Sequence, residues 1–195
     1  MNDDIETLLA RMRDIEAELE RRFEARRAMF HYEVRKRKAV FEAAAAARHR
    51  EFRTGILRFL RDSTLLSIAT APLVYALVLP LALLDLCVCL FQRVCFPVWG
   101  VARVPRLEFF VIDHQYLPYL NAIQKLNCVY CSCANGLVSF IQEVAARTET
   151  FWCPIKHARR IRKPHHRCRQ FLDYGDAEGF REKLDELRRT VAEKD

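Results

Sequence analysis

A run of 28 residues, from Thr64 to Phe91, carries a single charged side chain, Asp85. About 20 apolar residues are enough to cross the hydrocarbon core of a bilayer, which is about 30 Å thick. The run therefore predicts a membrane segment over residues 63–103, between two polar flanks. A buried core helix in a water-soluble protein is the less favoured interpretation, because a domain of this size rarely needs so long an apolar stretch.

Two prolines, Pro72 and Pro80, lie inside the run. Proline bends a helix because it lacks the main-chain donor and clashes with the preceding turn. A straight span over residues 64–84 would place the flanks on opposite sides of the membrane. A re-entrant hairpin, bent at Pro80 and returning by Val101, would keep both flanks in the cytoplasm. We favour the hairpin, because thiolate metal ligands suit a reducing compartment.

The chain has a net charge of +7, and much of the excess precedes the apolar run. Residues 21–61 hold thirteen lysines or arginines against four glutamates. An anionic membrane surface attracts such a stretch by about 1 kcal/mol per basic residue. Membrane lipid is therefore the expected partner. Nucleic acid would be attracted by the same charge, but no aromatic and basic recognition motif accompanies it, so we expect no nucleic-acid binding.

Residues 1–62 contain no proline and only one glycine, which predicts one long helix or two nearly collinear helices between Asp3 and about Arg61. Apolar side chains recur at a 3-4-3-4 spacing, which is typical of a coiled-coil seam. These are Ile5, Leu8, Met12, Ile15 and Leu19. The seam predicts parallel self-association through residues 4–30.

A pattern of cysteine and histidine follows the apolar run, in residues 104–195. It reads C-x2-C-x21-C-x3-H and comprises Cys128, Cys131, Cys153 and His157. Three thiolates and one imidazole can bind a tetrahedral zinc ion, and structural zinc sites use such sets. Iron or an iron–sulfur cluster is the alternative, because both accept sulfur-rich ligation. Cys133 and Cys168 are further candidate ligands. The pattern predicts a small metal-stabilised domain.

The secondary structure expected in this region alternates between short elements. Residues 106–112 are typical of a β-strand, residues 120–126 of a helix, and residues 127–133 of a cysteine loop. A helix is expected over residues 134–150. A terminal amphipathic helix is expected over residues 176–193, with Asp176 as its N-cap.

Asp113 and His114 follow the predicted strand and are the candidate catalytic pair. A carboxylate and an imidazole together can transfer protons. If they act as acid and base, we expect Asn121, Lys125 and Asn135 to line the same pocket. The alternative is that Asp113 caps a helix.

A dense group of cations lies beside the predicted metal ligands. Next to a membrane segment, such a group can bind phosphate or lipid head groups. Its candidate anion-binding residues are Lys156, Arg159, Arg160, Arg162 and Lys163.

Residues 111–176 resemble an uncharacterised family of proteobacterial membrane-associated proteins. The resemblance is carried by the motifs NCVYC (127–131), ANG (134–136), WCPIKHAR (152–159) and DYGDAE (173–178). It implies a bacterial inner-membrane location, and it implies Cys128, Cys131, Cys153 and His157 as the ligand set. The family usually has an aromatic residue where this chain has Cys133, which argues against that cysteine as a ligand.

These patterns together predict a mainly α protein with a long N-terminal helix, a membrane helix or hairpin, and a small metal-stabilised C-terminal domain. The expected function is that of a membrane-anchored interaction module, in which zinc stabilises a domain with a basic loop facing membrane or phosphate. The alternative is a membrane-bound enzyme acting on an anionic or lipid-linked substrate through Asp113 and His114.

Overall fold

The computed structural model describes residues 2–35 and 38–192, with side chains from Ala10 onward. The protein is mainly helical, as predicted. The chain forms two compact units, which we describe separately. The first comprises the residues up to Asp62 together with Asp113–Cys128, and the second comprises Ser63–Ile112 together with Val129–Asp195.

The first unit begins with helix α1, Asn2–Met29, but the predicted helix does not continue to Arg61. His31 adopts a left-handed backbone conformation (φ 54°) and ends the helical region. An antiparallel hairpin follows, formed by strands β1, Tyr32–Arg35, and β2, Lys38–Phe41. Tyr32 and Phe41 face each other across it, with ring centroids 5.3 Å apart. Aromatic and β-branched residues favour strands, and they explain why one long helix was the wrong prediction.

Two short helices complete the N-terminal part of this unit, α2 (Ala43–Glu51) and α3 (Ile56–Asp62). The segment Asp113–Leu120 contains a 3₁₀ turn at His114–Tyr116 and leads to Asn121. Asn121 is buried and begins the next helix with a capping box. Its Oδ1 accepts a hydrogen bond from the Gln124 amide at 2.9 Å, while its own amide donates to Gln124 Oε1 at 3.0 Å.

The apolar stripe of α1 is exposed in this structure. Met12, Ile15, Leu19 and Phe23 are each at least half exposed. The first members of the predicted seam, Ile5 and Leu8, lie outside the described side chains. Self-association through residues 4–30 therefore stays a prediction, made on a helix whose apolar face is available.

The second unit begins with the apolar run, which forms helices α4, Leu65–Ala76, and α5, Val78–Trp99. Only Leu77 interrupts them, and its backbone is still in the right-handed helical region. The Leu81 amide bonds to the Leu77 carbonyl across the break. Pro80 lies inside α5, and the one interruption, at Leu77, does not reverse the direction of the chain. The predicted re-entrant hairpin that turns at Pro80 is therefore wrong for this structure. One helix, Leu65–Trp99, is long and apolar enough to span a membrane.

Helix α6, Ala122–Trp152, runs for 31 residues and passes directly through the predicted cysteine loop. The loop at residues 127–133 was therefore wrongly predicted, and the helix predicted for residues 134–150 begins much earlier. The strand predicted over residues 106–112 is also absent from the described structure, where Arg106–Glu108 forms a 3₁₀ turn. Helix α7 is Ala177–Arg189, and Asp176 caps it as predicted by accepting from the Gly179 amide at 2.8 Å.

Helices α4–α5 and α6 run in the same direction. Tyr75 contacts Tyr130 near one end and Trp99 stacks on Phe151 near the other, with centroids 6.1 and 5.6 Å apart. Residues 101–112, which we call the return segment, bring the chain back between them. Its main chain bonds to side chains on both sides: the Val104 amide donates to Gln92 Oε1 at 3.0 Å, and Arg147 donates to the Ala102 carbonyl at 2.6 Å.

The core of the second unit lies where α5, the return segment and α6 meet. It consists of Phe96, Val101, Val104, Leu137, Phe140, Val144 and Val191. The return segment also approaches α6 at Gly136, because a Cβ atom there would lie 2.7 Å from the Phe109 carbonyl oxygen. The absence of a side chain at this position lets the main chain pack directly against the helix.

We expect Gly136→Ala to destabilise the second unit by about 1–2 kcal/mol. The contact is with main-chain atoms, which cannot move aside as a side-chain tip can, so we take the upper part of the cost of overpacking, about 2–3 kcal/mol. Alanine gains about 1 kcal/mol of helix propensity in return. Denaturant unfolding followed by the fluorescence of Trp99 and Trp152 measures the difference.

Gly55→Ala is the matched control, because nothing lies within 4 Å of the added Cβ there. We expect no loss of stability from it. Equal stability of the Gly136→Ala variant and the unsubstituted protein would contradict the close approach of the return segment.

Candidate metal centre and basic segment

The structure separates the two halves of the predicted zinc site. Cys128 and Cys131 lie near the start of α6, and Cys153 follows its last residue. A helix rises 1.5 Å per residue, so Cys131 and Cys153 lie about 30 Å apart along the axis. The set of Cys128, Cys131, Cys153 and His157 therefore does not converge on one ion here, because the intervening residues form a continuous helix rather than an insertion.

One residue of the second half, His157, lies beside a different cluster of metal-binding side chains. Glu149, in the last turn of α6, lies next to His165 and Cys168. The His165 Nε2 atom is 2.7 Å from Glu149 Oε2 and 3.2 Å from Cys168 Sγ. His157 Nε2 is 3.9 Å from the other Glu149 oxygen. Glu149, His165 and Cys168 are partly buried and could hold a metal ion.

Local structure brings these side chains together. His165 immediately precedes the 3₁₀ helix His166–Gln170, and the Cys168 amide bonds to the His165 carbonyl at 3.1 Å. Residues three apart in a 3₁₀ turn lie on the same side, so His165 and Cys168 project together. Ile155 and Leu172, which lie before and after this turn, form a parallel bridge that holds the two ends of this stretch of chain together.

Burial raises the pKa of the Cys168 thiol, and the negative charge of Glu149 raises it further. The same two causes raise the pKa of the Cys153 thiol. Both thiols are thus less ionised at neutral pH than an ordinary cysteine. All eight cysteines of the chain are free in this structure.

A second carboxylate, Glu143, attaches the same C-terminal segment to α6. Arg147 and Arg167 donate to its Oε1 atom at 2.8 and 2.9 Å. Burial raises the pKa of Glu143 and is the largest single cause acting on it. The hydrogen bonds and charges of the two arginines together outweigh burial, so the pKa of Glu143 lies below its ordinary value.

Four of the five predicted anion-binding residues lie on the exposed segment between His157 and His165, which we call the basic segment, and the fifth, Lys156, directly precedes it. Arg159, Arg160, Arg162 and Lys163 are exposed. Lys156 differs from them because its Nζ atom bonds to Asp173 Oδ1 at 2.7 Å. Four of the five predicted residues are thus exposed cations close together in the chain, and none of them forms an ion pair with another described residue.

Asp113 and His114 are adjacent, with the His114 Nδ1 atom 3.2 Å from Asp113 Oδ1, but each side chain is about half exposed. The polar residues expected around them have structural roles. Asn121 caps α6, and Asn135 donates to the Cys131 carbonyl in its own helix. Neither the cavity of about 340 Å³ beside Glu143 nor that of about 700 Å³ beside the hairpin includes Asp113 or His114.

Sequence reasoning missed Glu149 and His165 as members of the cluster, although it named Cys168 as a further candidate ligand. The available signal was the H-x2-C spacing of His165 and Cys168, which follows C-x3-H at Cys153 and His157 after a short gap. Glu149 had no comparable signal, because its position beside His165 results from the return of the chain onto α6.

Comparison of the chain with models of known protein families, with curated proteins and with solved structures gives no match.

Proposed function

We propose that the protein is a membrane-anchored interaction module in which the basic segment binds anionic head groups. The observation that carries the proposal is the exposure of the apolar helix Leu65–Trp99. Its mean hydropathy reaches 2.5 in the most apolar window, and none of that window is buried. A surface of this kind is stable only when lipid or another apolar partner covers it.

The first part of this helix has the length needed for an anchor. Residues 65–84 extend about 30 Å in helical form, which matches the hydrocarbon core. Large apolar side chains project around it, with Leu65, Leu66, Leu73 and Leu79 all more than 70% exposed. Such side chains favour insertion by about 0.3–0.6 kcal/mol each near the centre of the membrane.

Polar groups in α4 bond within the helix, as a lipid environment requires. The Thr64 and Ser67 hydroxyls lie 2.7 Å apart and share a hydrogen bond. The Thr70 hydroxyl donates to the Leu66 carbonyl at 3.0 Å. These hydroxyl groups therefore satisfy one another or the helix backbone and add little to the free energy of insertion.

The position of the basic segment favours head groups as its ligand. One face of α5 stays apolar and exposed through Leu86, Leu90, Val94 and Val98. Helix α5 ends at Trp99, which packs against the core and whose ring lies 5.5 Å from the ring of Trp152. The basic segment begins a few residues after Trp152, which places its cations at the same end of the unit.

The bacterial inner membrane stays a prediction from the sequence. A cytoplasmic position for both flanks was predicted with the re-entrant hairpin and would not hold for a straight span over residues 65–84. Labelling of the exposed Cys153 from each side of the membrane tests the C-terminal flank, and a cytoplasmic flank would react from the cytoplasmic side only.

The experiment uses the full chain, first in membranes and then in nanodiscs. We expect the protein to remain in membranes at alkaline pH in carbonate and to be released by detergent. In nanodiscs containing phosphatidylglycerol, we expect the chain to broaden the phosphorus-31 resonance of the anionic head group. The variant with Arg159, Arg160 and Arg162 changed to Gln should broaden the resonance less, since each cation contributes about 1 kcal/mol.

The control variant has Arg181, Lys183 and Arg189 changed to Gln, which removes the same charge from α7, where all three are exposed. It should broaden the resonance as the unsubstituted chain does. Inorganic phosphate added to neutral nanodiscs tests the free anion as the alternative source. A chain that is monomeric in water without detergent would overturn the anchor, and equal broadening by both variants would overturn the role of the basic segment.

A further inference from the structure

We propose that Glu149, His165 and Cys168 bind a zinc ion, with His157 as the fourth ligand. The site differs from the one predicted from the sequence and shares only His157 with it. It would join the last turn of α6 to both ends of the basic segment. The proposal does not depend on lipid binding, because each ligand is identified by its own geometry.

The ligand atoms are already close to the separations that zinc requires. With Zn–S at about 2.3 Å and Zn–N or Zn–O at about 2.0 Å, tetrahedral ligand atoms lie about 3.3–3.5 Å apart. His165 Nε2 is 3.2 Å from Cys168 Sγ, and the three ligand atoms all lie within 4.8 Å of one another. His165 Nε2 is 2.7 Å from Glu149 Oε2, a hydrogen bond that widens by well under 1 Å when a metal replaces the proton.

The surroundings hold two of these ligands in place. The side chain of His165 is 14% exposed, and its ring packs edge-on against Phe171 at 5.4 Å. Glu149 extends from a helix whose neighbouring residue, Thr150, is buried. His157 is the mobile ligand, because its side chain is 60% exposed and lies 3.9 Å from Glu149.

The composition of the set favours zinc over the other metals considered. One thiolate with imidazole and carboxylate ligands is a mixed set that tetrahedral zinc accepts. A four-iron or two-iron cluster needs four thiolates in most proteins. Among the described residues Cys168 is the only cysteine in this cluster, so a mononuclear ion fits and an iron–sulfur cluster does not.

One feature of the cluster limits the affinity. Histidine ligands usually donate their second ring N–H to an acceptor, and loss of such a partner lowers metal affinity by about 10–100-fold. His165 Nδ1 is buried and has no hydrogen-bond partner among the described residues. We therefore expect zinc to be removable by a chelator, with local loosening of the basic segment rather than unfolding of the unit, whose apolar core lies elsewhere.

The test is metal binding by the full chain in detergent. We expect one zinc ion per chain after dialysis against zinc, and a thiolate-to-cobalt charge-transfer band when cobalt is substituted. Cys168→Ser should abolish that band, and His165→Ala should lower the metal content at least tenfold. Cys131→Ser is the control and should retain both. A chelator should also speed tryptic cleavage at Arg159–Lys163 in the unsubstituted chain, and should not do so in the Cys168→Ser variant.

The site would be overturned if Cys168→Ser kept the cobalt band, or if Cys131→Ser lowered the metal content as much as His165→Ala. A brown, iron-containing protein would also overturn it, and so would a folded chain that binds no metal. Because His165→Ala could unfold, Trp99 and Trp152 fluorescence is measured for each variant. Cys168→Ser, which preserves size, carries the conclusion if the alanine variant is unfolded.

Discussion

Glu143→Gln is expected to destabilise the second unit by about 3 kcal/mol. The substitution leaves Arg147 and Arg167 facing each other without a negative charge, although their side chains are only 17% and 16% exposed. Breaking a buried ion pair by removing one partner costs about 3–5 kcal/mol. We take the lower end, because glutamine still accepts one hydrogen bond. Chemical unfolding monitored by tryptophan fluorescence provides the measurement.

The same carboxylate should make the unit sensitive to acid. The pKa of Glu143 lies below its ordinary value of 4.5, which applies to the unfolded chain. A carboxylate of this kind contributes stability that is present above its unfolded pKa and is lost as the pH falls through the lower folded pKa. We therefore expect the stability difference between the unsubstituted chain and Glu143→Gln to be full at neutral pH and to shrink below about pH 4.5.

Glu186→Gln is the matched control, since Glu186 is exposed on α7. Exposed substitutions usually change stability by less than about 0.5 kcal/mol. Similar unfolding curves for the Glu143 and Glu186 variants at neutral pH would contradict the role assigned to the Glu143 network.

Arg106→Ala is the second substitution for which we expect a large loss, about 1.5–2 kcal/mol. This is the lower part of the range for hydrogen bonds to a charged group, and we take it because the Arg106 side chain is 38% exposed. The Arg106 side chain forms a bidentate pair with Asp85, the only charge in the apolar run, at 2.6 and 3.0 Å. Its guanidinium also lies 4.0 Å from the centre of the Phe110 ring. Alanine would leave the Asp85 carboxylate without its cation, next to the exposed apolar side chains of Leu84 and Leu86. Detergent-solubilised variants can be compared by thermal unfolding.

A double substitution distinguishes the loss of the ion pair from the effect of leaving the Asp85 carboxylate without its cation. Apolar residues often replace a buried pair at no loss of stability. Asp85→Leu combined with Arg106→Leu should therefore recover most of what Arg106→Ala loses. Arg103→Ala, at an exposed neighbour in the return segment, should have little effect. If the double variant were as unstable as Arg106→Ala, the ion pair would not be the cause.

The apolar helix could be predicted from the sequence because it depends on composition and length alone. The 28 residues from Thr64 to Phe91 specify it whatever surrounds them. Asp176 was likewise predictable, because a helix cap involves only neighbours in the chain. In both places local chemistry decides the structure.

The continuous α6 could not be predicted in the same way. Asn127, the cysteines and Gly136 are typical of a loop, and a single sequence gives no reason to extend a helix through them. In the structure Gly136 admits the Phe109 carbonyl, so a residue that weakens the isolated helix serves its packing. Because α6 is continuous, Cys131 lies far from Cys153, and the predicted zinc site does not form.

The hairpin after α1 and the cluster at Glu149 depend on contacts that spacing does not reveal. Tyr32 pairs with Phe41 only after the backbone changes direction at His31. His165 reaches Glu149 only because the chain returns onto α6 after the basic segment. The change of direction at His31 is not marked by a proline or glycine. Pro154 and Pro164 mark the chain that returns after α6, but they do not reveal which element it contacts.

The pairing of Asp85 with Arg106 has a consequence for the order of synthesis. The two residues are 21 positions apart, and Asp85 is made first. At about 5–20 residues per second, the carboxylate emerges from the ribosome some 1–4 s before its arginine does. During that interval the Asp85 carboxylate lacks its cation. Emergence of Arg106 is therefore the first point at which the ion pair between α5 and the return segment can form.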